Sequence, residues 1–386
     1  MTRIAITGIG VIAPGAIGVD QFAALLDNGK NAIAPIDRFD TTGLRAHNAA
    51  LVRDFVAKDF ISPMKLRRMN TLSRFGVAAA RLATMDRGDG LPNAAGVAMG
   101  TAFGPVQTSV DYMQEYVEKG AALAPPQLFA ESVANAPGSH VGIEFGLRGF
   151  NVTLTQRESS ALSALMYAAS QVAKGTAPAA IAGGVEEVSE IVFAVLDRLD
   201  TLGFCSRPFD RSRDGMIIGE GGAALILEPS DRGYAFVSGF GIGRDRSASI
   251  SDWGDGVDDV DAAMRAAIDD AELSIDDIDA IYASANSTVR ADRLEYRAIQ
   301  SLFRNVPAVV ATKGYFGEYA AGGALQIVAA ALAIRDQKLH ASIGFSEGED
   351  EMRFNPTTEQ SSRELRHVLV NSLSAGGGIV CAVLSR

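Results

Sequence analysis

The sequence predicts an α/β protein made of two repeated halves, and three observations carry that expectation. Short runs rich in apolar and β-branched residues alternate with longer stretches in which apolar residues recur at helical intervals. With 47% hydrophobic residues and 40 glycines in 386 residues, the composition is that of a compact α/β chain and not of a disordered one. After Pro229 the alternation begins again. The two halves share no detectable sequence identity, so the duplication is read from element order alone. Strands alternating with helices predict parallel βαβ units with helices on both faces. The division falls near residue 232, giving an N-terminal half over 1–232 and a C-terminal half over 233–386.

Each element has its own signal. Residues 3–13 cluster β-branched side chains and break at Pro14-Gly15, which predicts a buried strand leaving for a loop. Phe22, Leu25 and Leu26 have helical spacing within 21–29. Residues 71–85 repeat small and apolar residues at helical intervals, and 95–99 is a short buried strand running into Gly100-Thr101. The alanine-rich stretch 159–174 reads as a helix, and 179–182 as a strand ended by Gly183-Gly184. In the second half, strands are expected at 235–239, 280–285, 308–311, 369–372 and 378–384, with helices at 260–271, 292–302 and 322–334.

Composition removes several classes of function. No run of about 18 apolar residues is present, so no membrane span is expected. The chain enters its first strand without a basic, apolar, small-residue leader pattern, and a cytoplasmic location is expected. A net charge of −11 repels polyanions and argues against nucleic acid as a partner. Cys205 and Cys381 are too few for a disulfide framework and have no metal-ligand spacing, so each reads as a lone buried thiol. The four histidines lie far apart, and none falls in a motif. No metal or cofactor is expected.

The most specific segment runs Arg207-Pro208-Phe209-Asp210-Arg211-Ser212-Arg213-Asp214-Gly215 and continues through Gly219-Glu220-Gly221-Gly222. It lacks the spacing of a phosphate-binding loop, so its glycines, like Gly183 and Gly184, are read as serving turns and packing. The segment resembles the Arg-Pro-Phe-Asp…Arg-Asp-Gly…Gly-Glu-Gly signature of β-ketoacyl-[acyl carrier protein] synthases. The opening Ile6-Thr7-Gly8-Ile9-Gly10-Val11 and the closing Asn371-Ser372-Leu373-Ser374-Ala375-Gly376-Gly377 resemble that family as well, so the similarity spans nearly the whole chain. It implies the thiolase-like fold, with two pseudo-duplicated βαβαβ halves in a five-layered αβαβα arrangement.

Members of that family work with one cysteine and two histidines, and the matching positions here carry none of them. Aligning Glu158-Ser159-Ser160-Ala161-Leu162 with the family's nucleophile turn puts Glu158 where the cysteine belongs. That turn opens a helix, whose N-terminal dipole favours an anion, but a carboxylate cannot carry the acyl thioester. Anchoring on Thr288 and Asp292 puts Ser284 in place of the first histidine. Lys313-Gly314-Tyr315-Phe316-Gly317-Glu318-Tyr319-Ala320-Ala321 keeps the family lysine at Lys313 and replaces the second histidine by Glu318. In the family those histidines donate hydrogen bonds to a thioester carbonyl as an enolate forms, and a carboxylate there opposes the developing charge. Ala375 takes the place of a phenylalanine that gates the pocket in many members.

Within the family, the pattern resembles chain length factors, the β-subunits of type II polyketide ketosynthases. These lack the cysteine and form heterodimers with a catalytic partner. Asp292-Arg293-Leu294-Glu295 is similar to that subgroup, whereas Glu158 departs from its usual glutamine. The resemblance implies a non-catalytic subunit that shapes the tunnel for chains carried by an acyl carrier protein. Tunnel residues are then expected at Val106, Ser109 and Met113, three and four apart on one face of a helix, and an ordinary packing face is the competing reading. The basic cluster Lys65, Arg67 and Arg68 is expected to meet the acidic carrier, or else to be a solvated charged face. Two enzymatic alternatives remain: a malonyl-carrier decarboxylase, and a new acid–base activity built from Glu158, Glu318, Lys313 and Ser284.

Overall fold

In the computed structural model, which describes residues 3–319 and 321–386, each half of the chain lays five strands in the same order. Met1, Thr2 and Ala320, the last of them inside the Lys313–Ala321 motif, lie outside the described residues. The first half contributes β1 (Ile4–Ala13), β2 (Gly96–Gly100), β3 (Asn151–Leu154), β4 (Ala180–Glu186) and β5 (Gly221–Pro229). The second contributes β6 (Phe236–Arg244), β7 (Ala280–Tyr282), β8 (Ala308–Val310), β9 (His367–Leu373) and β10 (Gly378–Ser385). Across the sheet they run β8-β7-β9-β10-β6-β1-β5-β4-β2-β3. Read outward from the β6–β1 junction, both halves give first, fifth, fourth, second, third. The junction itself is antiparallel and rests on two residue pairs, Ile4 with Val237 and Ala5 with Phe236.

The expected parallel units are present, but each half also carries antiparallel strands. β2, β3 and β4 are parallel, as are β7, β8 and β9, but β5 and β10 run against their neighbours. The cause for β10 is local: only residues 374–377 separate it from β9, too few for a crossover and enough for a hairpin. β5 begins opposite Glu186, the residue on which β4 ends, so the chain returns without crossing the sheet. β3 and β5 themselves were not expected from the sequence. Gly183 permits the close approach of β4 and β5, since a β-carbon there would lie 1.9 Å from the Ala223 carbonyl oxygen.

Helices form the remaining layers. α1 (Thr71–Arg87), capped by Asn70 accepting from Ser73 N, covers the outer face of the first half, and α2 (Val106–Lys119) follows β2. α3 (Ser160–Ala173) and α6 (Gly322–Asp336) form the middle layer, while α4 (Val257–Asp270) and α5 (Val289–Leu302) cover the outer face of the second half. Every residue of α6 from Gly322 to Ile334 is buried, as its nearly unbroken apolar composition requires. The core accordingly divides in three. A central cluster joins Leu162, Leu165, Leu325 and Val328 to Leu225 and Val380, with one outer cluster on each side. The arrangement is the five-layered, thiolase-like one.

Cys381 is fully buried in β10, where burial raises its thiol pKa far above the ordinary range. Cys205 is exposed, against expectation, because it sits beside exposed Phe204 on the surface loop leading into the Arg207 motif. Among the described residues, no helix is long and apolar enough to cross a membrane.

Candidate functional site

Glu158 lies in a 3₁₀ turn, Arg157–Ser159, that leads directly into α3. Gly100, at the end of β2, lets the turn come close: a β-carbon there would lie 2.4 Å from the Ser160 carbonyl carbon. Hydroxyl groups fix the turn. Ser160 Oγ donates to the Arg157 carbonyl (2.6 Å), and Ser159 Oγ donates to the Ser372 carbonyl (3.0 Å). Ser372 Oγ returns a bond to the Glu158 carbonyl (3.2 Å). The Glu158 side chain is 4% exposed; its Oε2 accepts from Ala375 N (3.1 Å), and its Oε1 lies 3.6 Å from Arg157 Nη2.

The second half brings its residues to the same place. Ser284 follows β7; its amide donates to Glu295 Oε1 (2.8 Å), and its hydroxyl accepts from Leu373 N (2.9 Å). Lys313 is 1% exposed, and its ammonium donates to the Ser284 carbonyl (2.7 Å) and to Glu318 Oε2 (2.5 Å). Asn286 Nδ2 donates to the same Glu318 oxygen (2.9 Å). Glu318 N donates to the Ile217 carbonyl and its own carbonyl accepts from Gly219 N, so the Arg207–Gly222 motif positions the glutamate. Gly317, at φ +77°, supplies the left-handed residue this turn needs.

Burial pushes Glu318 up to about 7, with the Lys313 ammonium pulling it down and the nearby Glu158 charge pushing it further up. Burial likewise raises Glu295 to about 7, opposed by its bonds from Ser284 N and Asn371 Nδ2. Ser284, Lys313 and Glu318 thus form one connected polar cluster, with Glu158 beside it on the amide of Ala375. It contains neither thiol nor imidazole. No group of three His, Cys, Asp or Glu side chains among the described residues could hold a metal ion.

The chain matches the β-ketoacyl synthase N-terminal domain over residues 1–232 and the C-terminal domain over 234–346. It belongs to the β-ketoacyl synthase family. The 3-oxoacyl-[acyl-carrier-protein] synthase 2 of Coxiella burnetii is 30% identical over 410 residues, covering 100% of this chain and 98% of that protein. Among solved structures, the ishigamide ketosynthase/chain length factor is 27% identical with a TM-score of 0.93, covering 100% of this chain and 99% of the other. A β-ketoacyl synthase from Burkholderia phymatum STM815 is 26% identical with a TM-score of 0.92 and covers 100% of both chains.

On this β-ketoacyl synthase frame the sequence-selected residues fall into three sets. Glu158, Ser284, Lys313, Glu318 and Ala375 come together as described. Val106, Ser109 and Met113 stand apart on α2: Val106 packs half-buried on an outer core cluster, Ser109 Oγ donates to the Pro105 and Ser132 carbonyls, and Met113 is 53% exposed. Lys65, Arg67 and Arg68 are all exposed around the short helix Pro63–Leu66, with Lys65 paired to Glu144 at 2.6 Å.

Several functional neighbours escaped the sequence reading. Asn286 and Glu295 lie inside stretches chosen for other residues, and their roles emerge only once β7 and α5 pack together. Glu186 and Glu187 close β4 as a buried carboxylate doublet, a signal visible in sequence as two acids ending an apolar run. Glu186 accepts from Ala102 N (2.5 Å) and Thr101 Oγ1 (3.2 Å), and Glu187 Oε1 accepts from Gln107 N (3.1 Å). Together they clamp the segment entering α2. Burial raises Glu186 to about 8 and Glu187 to about 7.

Proposed function

We propose that this chain is a non-catalytic, ketosynthase-like subunit of the chain length factor type. It pairs with an active ketosynthase in a heterodimer and shapes the tunnel into which a carrier-bound polyketide or fatty acyl chain grows. The observation that carries the reading is the Lys313–Glu318 ion pair, buried at the position where family resemblance calls for a hydrogen-bond-donating imidazole. Glu318 Oε2 already receives two donors, so the lysine charge is spent within the protein. Glu158, a non-nucleophilic carboxylate in the place of the cysteine, faces the backbone amide of Ala375. Carboxylates at both positions repel the enolate on which decarboxylative condensation depends.

Two further features support this reading. The structural likeness to the ishigamide ketosynthase/chain length factor spans both chains. α2, which carries Val106, Ser109 and Met113, presents exposed Met113, Tyr116 and Val117, apolar surface of the kind a partner covers. The carrier protein is met through Lys65, Arg67 and Arg68, and the site of action is the cytoplasm.

The test is co-expression with an active ketosynthase, native mass spectrometry of the product, and chain elongation with and without this chain. The expected result is a one-to-one complex required for a product of defined length. A homodimer that decarboxylates malonyl-carrier by itself would overturn the proposal in favour of a separate acyl-processing activity using Glu158, Glu318 and Lys313.

A further inference from the structure

Arg157, one residue before Glu158, is held in a costly conformation and touches two segments besides its own turn. Its φ of +52° lies in the left-handed region, which costs a non-glycine residue about 1 kcal/mol or more. The turn holds it there: Gln156 N donates to Ser160 Oγ (2.8 Å), and Ser160 Oγ donates to the Arg157 carbonyl (2.6 Å). The guanidinium lies 5.2 Å from the centre of the Phe103 ring, beyond the end of β2. Nη2 is 3.6 Å from Glu158 Oε1, and Nη1 donates to the Ile250 carbonyl (3.4 Å).

Ile250 begins a strap across the β9–β10 turn. Gly376 N donates to the Asp252 carbonyl (3.3 Å), Trp253 Nε1 donates to the Leu373 carbonyl (3.3 Å), and Arg290 pairs with Asp252 at 2.7 Å. Outside the strap lies a cleft of about 300 Å³ whose lining includes Arg157, Arg244, Ile250 and Ala375. Glu158 is not part of that lining, although its carboxylate is bonded to Ala375 N. Arg157 and Ala375 thus line the cleft, whereas the Glu158 carboxylate is buried on the amide of Ala375.

We propose that Arg157 is a bolt that shuts the pocket mouth, fastening the 3₁₀ turn, the Phe103 loop and the Ile250–Trp253 strap so that no thioester-bearing carrier arm reaches Glu158. The inference rests on the non-catalytic reading and adds a steric cause to the electrostatic one. A pocket altered only in its charges would still admit and sequester carrier-bound chains. A bolted one leaves them to the partner.

Access is measured with a thiol placed behind the bolt. Glu158→Cys and the double variant Arg157→Ala, Glu158→Cys are treated with iodoacetamide, and modification is mapped by peptide mass spectrometry. Alanine keeps the same left-handed backbone penalty, so strain is not relieved by the change. Exposed Cys205 is the internal positive control and buried Cys381 the negative one. The single variant is expected to react at position 158 slowly relative to Cys205, and the double variant at least about tenfold faster than the single one. Equal rates at position 158 in the two variants overturn the bolt.

Should either variant expose Cys381 and so report unfolding, Arg157→Ala alone decides the matter. Trp253 is the sole tryptophan and sits in the strap. Its acrylamide quenching is expected to rise at least about twofold when Arg157 is removed, and unchanged quenching refutes the proposal. Both readouts use the isolated chain. An open mouth in a chain that still forms the one-to-one complex would refute the bolt alone, whereas a closed mouth in a chain that pairs with nothing would refute the subunit reading alone.

Discussion

The Lys313 ammonium and the Glu318 carboxylate lie 2.5 Å apart, each almost wholly withdrawn from solvent. Removing one partner strands a buried charge, which costs about 3–5 kcal/mol, whereas replacing both by apolar residues of similar volume is close to neutral. Glu318→Ala is therefore expected to lose about 3–5 kcal/mol in urea denaturation, and the double variant Lys313→Met, Glu318→Met to recover most of it. Equal stability of Glu318→Ala and the parent would show that the pair is not structural.

Restoring the nucleophile alone should not restore chemistry. Glu158→Cys is expected to show no condensation with acyl- and malonyl-carrier substrates, because on the proposed reading Ser284 and Glu318 hold the histidine places and Arg157 closes the mouth. Product formation by that single variant would mean that the histidine positions are misassigned.

Stability should depend on pH through the carboxylate doublet that ends β4. Glu186 and Glu187 are raised to about 8 and about 7 from 4.5, so the folded chain holds protons that the unfolded chain releases. Their contribution is complete below the unfolded value and lost as pH climbs through 7 to 8. The melting temperature should fall on going from about pH 5 to about pH 8.5. The fall should be smaller in Glu186→Gln, Glu187→Gln, whose amide oxygens can still accept from Ala102 N and Gln107 N. Identical slopes would remove the doublet as the cause.

Product length tests α2. In the complex with an active ketosynthase, Met113→Trp or Val106→Phe is expected to shorten the product by one or more elongation steps, read by mass spectrometry of the released chain. Unchanged length would return the α2 face to ordinary packing.

Charge reversal tests carrier docking. Arg67→Glu with Arg68→Glu should weaken carrier binding about tenfold or more at low ionic strength, with the difference shrinking as salt is added. Unaltered titration curves would leave these arginines as a solvated face.

Much of this architecture could be read from the sequence where elements are long and periodic. The helices at α1, α3 and α6 and the strands β1, β9 and β10 fall within a few residues of expectation. β5 was missed because it begins inside a glycine motif read as turns, and its reversed direction is set by the register opposite Glu186 and not by its own residues. Glu158, Ser284, Lys313 and Glu318 could be picked out together because each sits in an ordered motif. Arg157 was not, since nothing local announces that a residue with φ +52° will reach both Phe103 and Ile250. Burial of a thiol is equally invisible in composition, and Cys205 and Cys381 part company only in three dimensions.

The shared strand order of the two halves bears on what the pocket can hold. Glu158 precedes α3 by two residues and Glu318 precedes α6 by four, so the middle helix of each repeat starts at the same buried point. Gly323, in the first turn of α6, lies against the Glu158 carbonyl, and Gly322 lies beside Glu318 Oε1. Two partial positive charges, one from each helix start, converge there. A backbone duplicated in this way offers a home for negative charge whichever side chain bears it. The frame therefore does not depend on which side chain stands at the two helix starts, and one fold can carry a catalyst or a scaffold.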